Sequence, residues 1–248
     1  MPEVEVFHKT IRKGLNQALN GNIVTFGVKP WHPETAYGYL RCVSDKTLEE
    51  GVLKVNQFIE KPAYEDAKQM FNDESFHWNA GIFMFRSKDM INAFKAIAPS
   101  TLELVEGALT NAENDLGFLR LESDRWSKLE SISIDYAIIE KVNNLVAIPY
   151  KSKWSDVGDW NAVWEESKKD ENRNALTTNA HAVDCENTLL RAENPNQEVV
   201  GLGLNNIIVI AMPDAVLVAQ KDKSQDVKNV TKLLKEKKIV QAESFPKD

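Results

Sequence analysis

The sequence of 248 residues predicts a mixed α/β protein, in which a doubly wound layer of strands and helices precedes a small β-rich unit. Three observations predict this class. Segments with helical spacing alternate with short apolar strands as far as about residue 169. A charged connector over residues 168–174 then interrupts the pattern. Beyond it the chain consists of short strands and turns with one terminal helix. We therefore expect two domains, residues 1–169 and 170–248.

Apolar periodicity and stop signals predict the elements of the first domain. Apolar residues recur at helical spacing over residues 4–20, and Gly21 and Asn22 end that helix. Pro62 suits the first turn of the next helix and favours an extended conformation of Lys61. The further helices are predicted over residues 63–72, 88–97, 101–109 and 134–142, the last with Ser133 as N-cap. The strands are predicted over residues 23–28, 52–59, 82–85 and 145–149.

The remaining elements extend the same reasoning. The continuous apolar run 82–85 is typical of a strand buried on both faces of a largely parallel sheet. Asp159 is an N-cap candidate for a short helix that carries Trp160, Val163 and Trp164 on one face. In the second domain we expect short strands over residues 189–190, 199–200, 207–210 and 216–219, and a helix over 225–235. We find no internal repeat.

Composition favours an ordinary soluble protein of the cytoplasm. Hydrophobic residues make up 43% of the chain and charged residues 27%. The net charge of −7 argues against nucleic acid as a partner, and the lysines of residues 232–238 fit the C-terminal end of a helix. No apolar run approaches the ~20 residues of a membrane span, so we expect no membrane partner. Cys42 and Cys185 provide no disulfide framework and are expected to be core residues.

Polar residues at strand ends are the candidates for chemistry. Asp156 follows the apolar run 145–149 in a tight turn that contains Gly158, where it is either a metal ligand or a turn-former. Glu60 and Lys61 end another strand. They form either a solvated ion pair or a site in which Lys61 faces a phosphate and Glu60 accepts hydrogen bonds from sugar hydroxyls.

Five further positions are weaker candidates. Asn79 and Gly81 open an apolar strand, where the amide either satisfies a turn or binds a ligand, and the glycine can mark the close approach of a ligand to the backbone. Tyr37 and Gly38 are either plain strand residues or part of a site, in which Tyr37 forms one wall of a pocket and the N–H of Gly38 faces a substrate hydroxyl. Asp135 lies just inside a predicted helix N-terminus, which the helix dipole alone explains.

These motifs, in this order, resemble the mannose-1-phosphate guanylyltransferase family, especially its bacterial members that make GDP-mannose. The resemblance covers nearly the whole chain, and Glu-Lys-Pro alone is shared more widely among sugar nucleotidyltransferases. The matching stretches are residues 25–28, 33–39, 58–62, 78–83, 133–137, 154–160, 184–187, 213–219 and 225–228. Ala36, Ala80 and Lys153 depart from the commonest family pattern without removing a polar ligand.

The resemblance implies a partial Rossmann-like nucleotidyltransferase layer and a reaction that joins GTP and mannose 1-phosphate into GDP-mannose and pyrophosphate. It implies sugar contacts from Gly38, Glu60 and Asn79, and places Lys61 near the sugar phosphate. Asp156 corresponds to one of two metal-binding aspartates, with Mg²⁺ as the cofactor. Tyr37, Gly81 and Asp135 lie in the same motifs and complete the expected substrate site. The β-rich tail is expected to pack on the catalytic domain or on a second subunit, which makes a homo-oligomer one option.

The family's Gly-rich phosphate loop and its first metal-binding aspartate have no counterpart in these 248 residues. We therefore expect a fragment that lacks the N-terminal nucleotide-binding portion and has little or no turnover alone. Two alternatives stay open. One is a related nucleotidyltransferase that acts on a glucose phosphate, and the other is a non-catalytic module that binds a sugar phosphate or a subunit.

Overall fold

The structure, a computed structural model, describes residues 4–243. By internal contacts the chain divides into a first unit, Met1–Trp154, and a second unit, Ser155–Asp248. This division falls earlier along the chain than the domain boundary between residues 169 and 170 that the sequence predicts, and that boundary stays a prediction.

The first unit alternates helices and strands as expected from the periodicity. Its elements are α1 (Val4–Leu19), β1 (Ile23–Val28), β2 (Gly38–Ser44), β3 (Leu53–Glu60), α2 (Tyr64–Phe71), β4 (Phe76–Met84), α3 (Ser87–Ile97), α4 (Pro99–Thr110), β5 (Glu113–Asp115), β6 (Phe118–Arg120), α5 (Ser123–Trp126), a π-helical turn (Asp135–Ile139) and β7 (Leu145–Tyr150). Strand β1 has the predicted bounds, whereas β2, the hairpin β5–β6 and the short α5 were not predicted.

The main sheet of the first unit closes into a ring of five strands in the order β1-β4-β2-β3-β7. Only the β1–β7 pair in this ring is parallel. The pairs β1–β4, β2–β4, β2–β3 and β3–β7 are antiparallel. The expectation of a largely parallel sheet is therefore wrong. An apolar run shows only that a strand is buried on both faces of its sheet. Helices that cover an antiparallel ring bury its strands in the same way as helices that cover a parallel sheet.

Helices cover both faces of this sheet, and burial on both faces explains the apolar runs of β1 and β7. All six residues of β1 are buried. One apolar cluster joins Val24, Phe26 and Ile148 to Phe7 and Ile11 of α1. A second cluster lies on the opposite face and contains residues of α3 and of the π-helical turn, among them Met90, Ile138 and Ile139. The mixed α/β class is confirmed.

Strand β4 differs from its prediction in both extent and burial. It spans Phe76–Met84 rather than residues 82–85, and its buried residues are those of 76–80, whereas Ile82 is 37% exposed. Its pairing with β1 shifts register, because Thr25 lies opposite Phe83 but Gly27 lies opposite Asn79. Three residues of β4 therefore face the single residue Phe26, and β4 bulges over residues 80–82.

The second unit is rich in short strands, as predicted. Its elements are α6 (Trp160–Glu166), β8 (Ala175–Leu176), β9 (Ala180–Val183), β10 (Leu189–Ala192), β11 (Val199–Leu202), β12 (Ile207–Ala211), β13 (Val216–Gln220), a 3-10 helix (Lys221–Asp226), α7 (Val227–Glu236) and α8 (Val240–Glu243). Asp159 caps α6 as predicted, because its Oδ1 accepts from the N–H of Ala162 at 2.8 Å.

Parallel pairing in the second unit shows a repeat that the sequence analysis missed. Strands β8, β10 and β12 pair in parallel, as do β9 and β11. The pairs Ala180–Val199, Glu186–Asn205 and Leu189–Ile208 all join residues 19 positions apart. The corners repeat with the same spacing, since Asp184 and Gly203 both have positive φ, as do Asn187 and Asn206. Few identical residues recur at this 19-residue spacing. Each turn of the chain requires only apolar residues at the buried positions and residues that tolerate positive φ at the corners.

Candidate functional site

The start of β2, the end of β3 and the bulged middle of β4 meet at one place in the first unit. Gly38 at the start of β2 pairs directly with Glu60 at the end of β3. A Cβ built on Gly38 would lie 2.6 Å from Oε2 of Glu60 and 3.4 Å from Cβ of Asn79 on β4. Only glycine leaves room for the carboxylate at this position. The structure therefore brings together the three residues expected to contact the sugar, whose roles stay predictions.

The bulge in β4 holds the side chain of Asn79 in one orientation. Its Oδ1 accepts hydrogen bonds from Oγ1 of Thr25 at 2.6 Å and from the N–H of Gly81 at 3.2 Å. A backbone N–H can only donate, so the oxygen must face Gly81 and Nδ2 must face the other way. Within residues 4–243 no hydrogen bond from Nδ2 is found, which leaves this group as a donor for a ligand. Sequence reasoning missed Thr25, because a buried threonine in an apolar strand carries no local signal.

Gly81 lies in the bulge of β4 and adopts the backbone conformation that the bulge requires. Its φ is +68°, in the left-handed region that favours glycine, and a Cβ there would meet no atom within 4 Å. The position is thus explained by the turn of the chain at the bulge. Its expected contact with substrate stays a prediction.

Glu60 and Lys61 form an ion pair with unequal exposure to solvent. Nζ of Lys61 lies 3.1 Å from Oε1 of Glu60, and the side chains are 56% and 10% exposed respectively. Burial raises the pKa of Glu60 above its ordinary value, and Asp135 and Glu140 raise it further, although the bond from Lys61 opposes them. The pKa of Lys61 is raised, chiefly by its hydrogen bond to Glu60. Lys61 is therefore a protonated, half-exposed donor beside the strand ends.

The backbone at Lys61 corrects one sequence prediction. Its φ of 49° lies in the left-handed region, so the extended conformation expected before Pro62 is wrong. Antiparallel pairing explains the difference, because the N–H of Lys61 turns back to the carbonyl of Tyr37 at 3.2 Å. Such a backbone costs about 1–3 kcal/mol and is held only where its surroundings determine it. Here it sets the ammonium beside Glu60.

The π-helical turn contributes a second carboxylate that sequence reasoning missed. Oε1 of Glu140 accepts from the N–H of Glu60 at 3.2 Å. The N–H of Glu140 bonds the carbonyl of Asp135, five residues earlier, at 3.0 Å. The predicted helix over 134–142 is therefore too long, and Oγ of Ser133 makes only a long 3.5 Å contact with the N–H of Tyr136. Turns of this kind occur frequently at functional sites.

Asp135 is half-buried at the first position of this turn and acts on Lys61 through its charge. It contributes to the raised pKa of Lys61. The sequence placed Asp135 just inside a helix N-terminus, and it is the first residue of the observed turn.

Aromatic rings form a wall next to Gly38. The ring of Tyr37 packs edge-on against Trp78 at 5.2 Å and against Trp154 at 5.1 Å between centroids. Trp78 is fully buried, whereas Trp31 is exposed and lies 4.4 Å from Trp78. The structure therefore places Tyr37 in an aromatic cluster, and it adds Trp31 and Trp154, which share no sequence spacing with it.

Asp156 lies in the second unit, whereas the other predicted site residues lie in the first. Its Oδ1 accepts from the N–H of Gly158 at 3.0 Å, and Val157 between them has a φ of 50°. This is the turn geometry that aspartate commonly makes. Within residues 4–243 no group of three or more His, Cys, Asp or Glu side chains is arranged to hold a metal ion. Mg²⁺ often takes only one or two carboxylates and completes its shell with phosphates and water. A single aspartate fits such an ion only as one of several ligands.

The free cysteines Cys42 and Cys185 are both buried, as predicted for core residues. Burial raises the pKa of Cys42 to about 12, against a small opposing effect of Lys29. Such a thiol does not form a thiolate nucleophile at neutral pH. In the described part of the chain no helix is both long and apolar enough to cross a bilayer.

Comparison with known proteins now decides the family. Residues 5–173 match the family described as nucleotidyl transferase, and residues 178–234 match the mannose-phosphate isomerase/GMP-like β-helix domain. The chain belongs to the nucleotidyl transferase family. The β-helix match agrees with the 19-residue register of the second unit, and the expected resemblance is confirmed.

The curated relatives that this chain resembles include mannose-1-phosphate guanylyltransferases. The chain is 35% identical to the Salmonella typhimurium protein mannose-1-phosphate guanylyltransferase RfbM, over 92% of this chain and 47% of that protein. It is 36% identical to a Klebsiella pneumoniae mannose-1-phosphate guanylyltransferase, over 93% of this chain and 49% of that protein. The chain thus spans about half the length of these curated relatives.

A solved structure shows the same fold. The Thermus thermophilus protein described as mannose-1-phosphate geranyltransferase matches with a TM-score of 0.76 and 29% identity, over 93% of this chain and 65% of that chain. A nucleotidyltransferase layer followed by a β-rich unit, as the sequence predicts, is therefore confirmed.

Proposed function

We propose that the first unit binds mannose 1-phosphate for a guanylyl transfer that yields GDP-mannose and pyrophosphate from GTP. The convergence of Gly38, Glu60 and Asn79 on three neighbouring strands carries this proposal, because it gathers a hydrogen-bond acceptor and a donor in one place. Membership of the nucleotidyl transferase family and the names of the relatives support the reaction class.

Each group at the strand ends has a chemistry that suits one part of the substrate. The buried carboxylate of Glu60 accepts hydrogen bonds from sugar hydroxyls, and Nδ2 of Asn79 donates to a sugar oxygen. Lys61, protonated and half exposed, faces the phosphate as a point charge. Tyr37, next to Gly38, is proposed to offer an aromatic face to the C–H groups of the sugar ring.

The reaction needs no covalent bond to the protein. A phosphate oxygen of mannose 1-phosphate attacks the α-phosphorus of GTP in line, the new P–O bond forms, and the bond to the pyrophosphate leaving group breaks. Catalysis of this kind consists mainly of positioning and charge neutralisation. Lys61 holds the attacking phosphate, while Glu60 and Asn79 fix the sugar and thereby the direction of attack.

We further propose Asp156 as one ligand of a divalent cation, with Mg²⁺ as the expected ion. When bound, such an ion neutralises charge on the phosphates. Asp156 supplies one carboxylate to it, which is compatible with Mg²⁺ because phosphate oxygens and water are its usual other ligands. An Asp156→Asn variant that keeps the Mg²⁺ dependence of mannose 1-phosphate and GTP binding unchanged contradicts this assignment.

Calorimetric titration of the chain with mannose 1-phosphate tests the proposal. We expect saturable binding that Glu60→Gln weakens by at least about tenfold, since a charged hydrogen bond is worth about 1.5–3 kcal/mol. Glu65→Gln, on the exposed face of α2, is the matched control and should bind as the wild type does. No binding by the folded wild-type chain refutes the proposal.

Two further measurements separate the alternatives. Comparison of GTP with other nucleoside triphosphates, by pyrophosphate release in the presence of Mg²⁺, distinguishes a guanylyltransferase from an enzyme that acts on a glucose phosphate. Binding of mannose 1-phosphate with neither nucleotide binding nor pyrophosphate release assigns the chain to a non-catalytic sugar-phosphate-binding module.

A further inference from the structure

A group of cationic side chains lies close to the ring of Trp164 in the second unit. Trp164 is 2% exposed and packs with Leu189 and Ile208 in the core of this unit. Its indole Nε1 donates to the carbonyl of Arg173 at 2.9 Å, which fixes the plane of the ring. Nζ of Lys221 lies 2.9 Å from the ring centroid. The indole is thus held between the β-strand core and a charged surface.

Two more cations lie at the same ring. Nζ of Lys169 is 4.7 Å from the centroid, and Cζ of Arg173 is 5.1 Å from it. A single cation over tryptophan is stabilised by about 0.5–2 kcal/mol. Three cations at one ring repel one another, so the attraction of the ring does not account for their gathering here.

The side chains around this cluster do not neutralise it. Throughout residues 4–243, none of Lys169, Arg173 and Lys221 forms an ion pair with a carboxylate. Glu165 is near enough to favour the charged form of Lys221, but it is exposed to solvent. The carboxylate of Asp170 accepts three hydrogen bonds from residues 172 and 174 of its own turn, so it is already engaged.

Lys221 is the member of the cluster with the least access to water. It is 8% exposed, and within the described part of the chain no hydrogen bond from Nζ is found, whereas Nζ of Lys169 donates to the carbonyls of Glu165 and Ser167. An ammonium group carries three donors and is costly to bury without acceptors. Burial lowers the pKa of Lys221, and Arg173 and Lys169 lower it further against the effect of Glu165.

We propose that Lys221 and Arg173, with Lys169 beside them, bind a phosphate-type oxyanion. Such an anion offers three or four acceptor oxygens to the ammonium donors of Lys221 and to the planar guanidinium fork of Arg173. Its negative charge balances the cations that repel one another. Inorganic phosphate, a sugar phosphate and a nucleotide share this chemistry, and all the residues of the proposed site belong to the second unit.

Thermal unfolding of the whole chain in phosphate, compared with sodium chloride at the same ionic strength, tests the site. For a millimolar site, about 10 mM phosphate should raise the melting temperature by about 3–6 °C more than chloride does. Lys221→Met keeps the length of the buried stem and removes the charge, so this excess should vanish. Lys228→Met, on the exposed face of α7, is the control and should keep it. A phosphate effect no larger than that of chloride overturns the proposal.

Further variants keep the test decisive. If Lys221→Met fails to fold by circular dichroism, Arg173→Gln replaces it, because the side chain of Arg173 is exposed and glutamine is likewise unbranched at Cβ. A folded variant of either kind with the full phosphate response refutes the site. Loss of the response in Lys61→Met, together with the full response in Lys221→Met, assigns the anion to the first unit and also refutes the site. A sugar phosphate or a nucleotide that stabilises the wild type more than inorganic phosphate, but not Lys221→Met, identifies the source of the anion.

Discussion

Replacing Gly38 by alanine tests the candidate site most directly. The added methyl group would lie 2.6 Å from Oε2 of Glu60, 3.1 Å from Cζ of Phe58 and 3.4 Å from Cβ of Asn79. An ordinary contact needs at least 3.4 Å, so the carboxylate must retreat by about 0.8 Å while the ring of Phe58 shifts by a few tenths of an ångström. The carboxylate is the end of a flexible side chain and gives way first. The substitution therefore displaces Glu60 without removing any polar group.

The effect on binding should be larger than the effect on stability. Overpacking costs about 1–3 kcal/mol, and the lower entropy of the unfolded chain with alanine recovers about 0.4–1 kcal/mol. We expect the melting temperature to fall by about 2–8 °C. A displaced charged hydrogen bond costs about 1.5–3 kcal/mol of binding, so the Kd for mannose 1-phosphate should rise about 10- to 100-fold.

Calorimetric titration and thermal unfolding of the two proteins measure these effects. Gly107→Ala on α4 is a matched control, because its Cβ would lie 2.6 Å from Cδ of Arg125, which is also part of a flexible side chain. This control should bind mannose 1-phosphate as the wild type does. A folded Gly38→Ala protein whose Kd stays within about twofold of the wild-type value would show that Glu60 does not touch the sugar.

Three further outcomes are expected. Thr25→Val removes the 2.6 Å hydrogen bond to Asn79, so urea unfolding should show a free energy of unfolding lower by about 1–2 kcal/mol. Calorimetry should show a several-fold weaker affinity for mannose 1-phosphate. An unchanged affinity contradicts the conclusion that this bond fixes the amide of Asn79. Because the folded pKa of Glu60 is raised, its contribution to stability is fully present below the unfolded pKa and is lost as pH rises through the folded pKa. Melting temperatures from pH 4 upward should therefore fall relative to those of Glu60→Gln, and parallel curves would exclude this coupling. Asp159→Ala removes the N-cap of α6 and the oxygen that accepts the 2.9 Å hydrogen bond from Ser224. Urea unfolding should show a free energy of unfolding lower by about 1–2 kcal/mol. An unchanged urea midpoint argues against the capping role.

Part of the candidate site could be predicted from the sequence because Gly38 begins a strand and Glu60 ends one. The end of β3 is marked locally by an apolar pair followed by polar residues, whereas Asn79 was expected to open a strand and lies inside β4. The capping role of Asp159 is local in the same way. Local signals do not require knowledge of which strand lies next to which.

Other features of the site depend on pairing, which a single sequence does not reveal. The left-handed Lys61 follows from a bond to Tyr37 across the β2–β3 pair. Thr25 fixes Asn79 only because a bulge in β4 brings them together. Glu140 reaches β3 because the turn before it is π-helical. Each of these contacts joins segments distant in sequence, or depends on backbone geometry that no motif encodes.

The parallel pair β1–β7 has a consequence for how the chain folds. It joins Ile23 to Leu145, and 145 − 23 gives a separation of 122 residues. In the second unit, β8 and β10 join Ala175 to Leu189, only 14 residues apart. Loop closure costs about 0.6 kcal/mol for each doubling of length, so closing the ring in the first unit costs about 2 kcal/mol more.

Contacts between distant residues also form slowly. On a ribosome, which adds about 5–20 residues per second, the ring cannot close until β7 has been made, and β1 must wait several seconds for its parallel neighbour. Each coil of the second unit can pair as soon as its own strands appear. The first unit therefore starts to be made before the second but completes its ring late, with one edge of β1 unpaired in the interval.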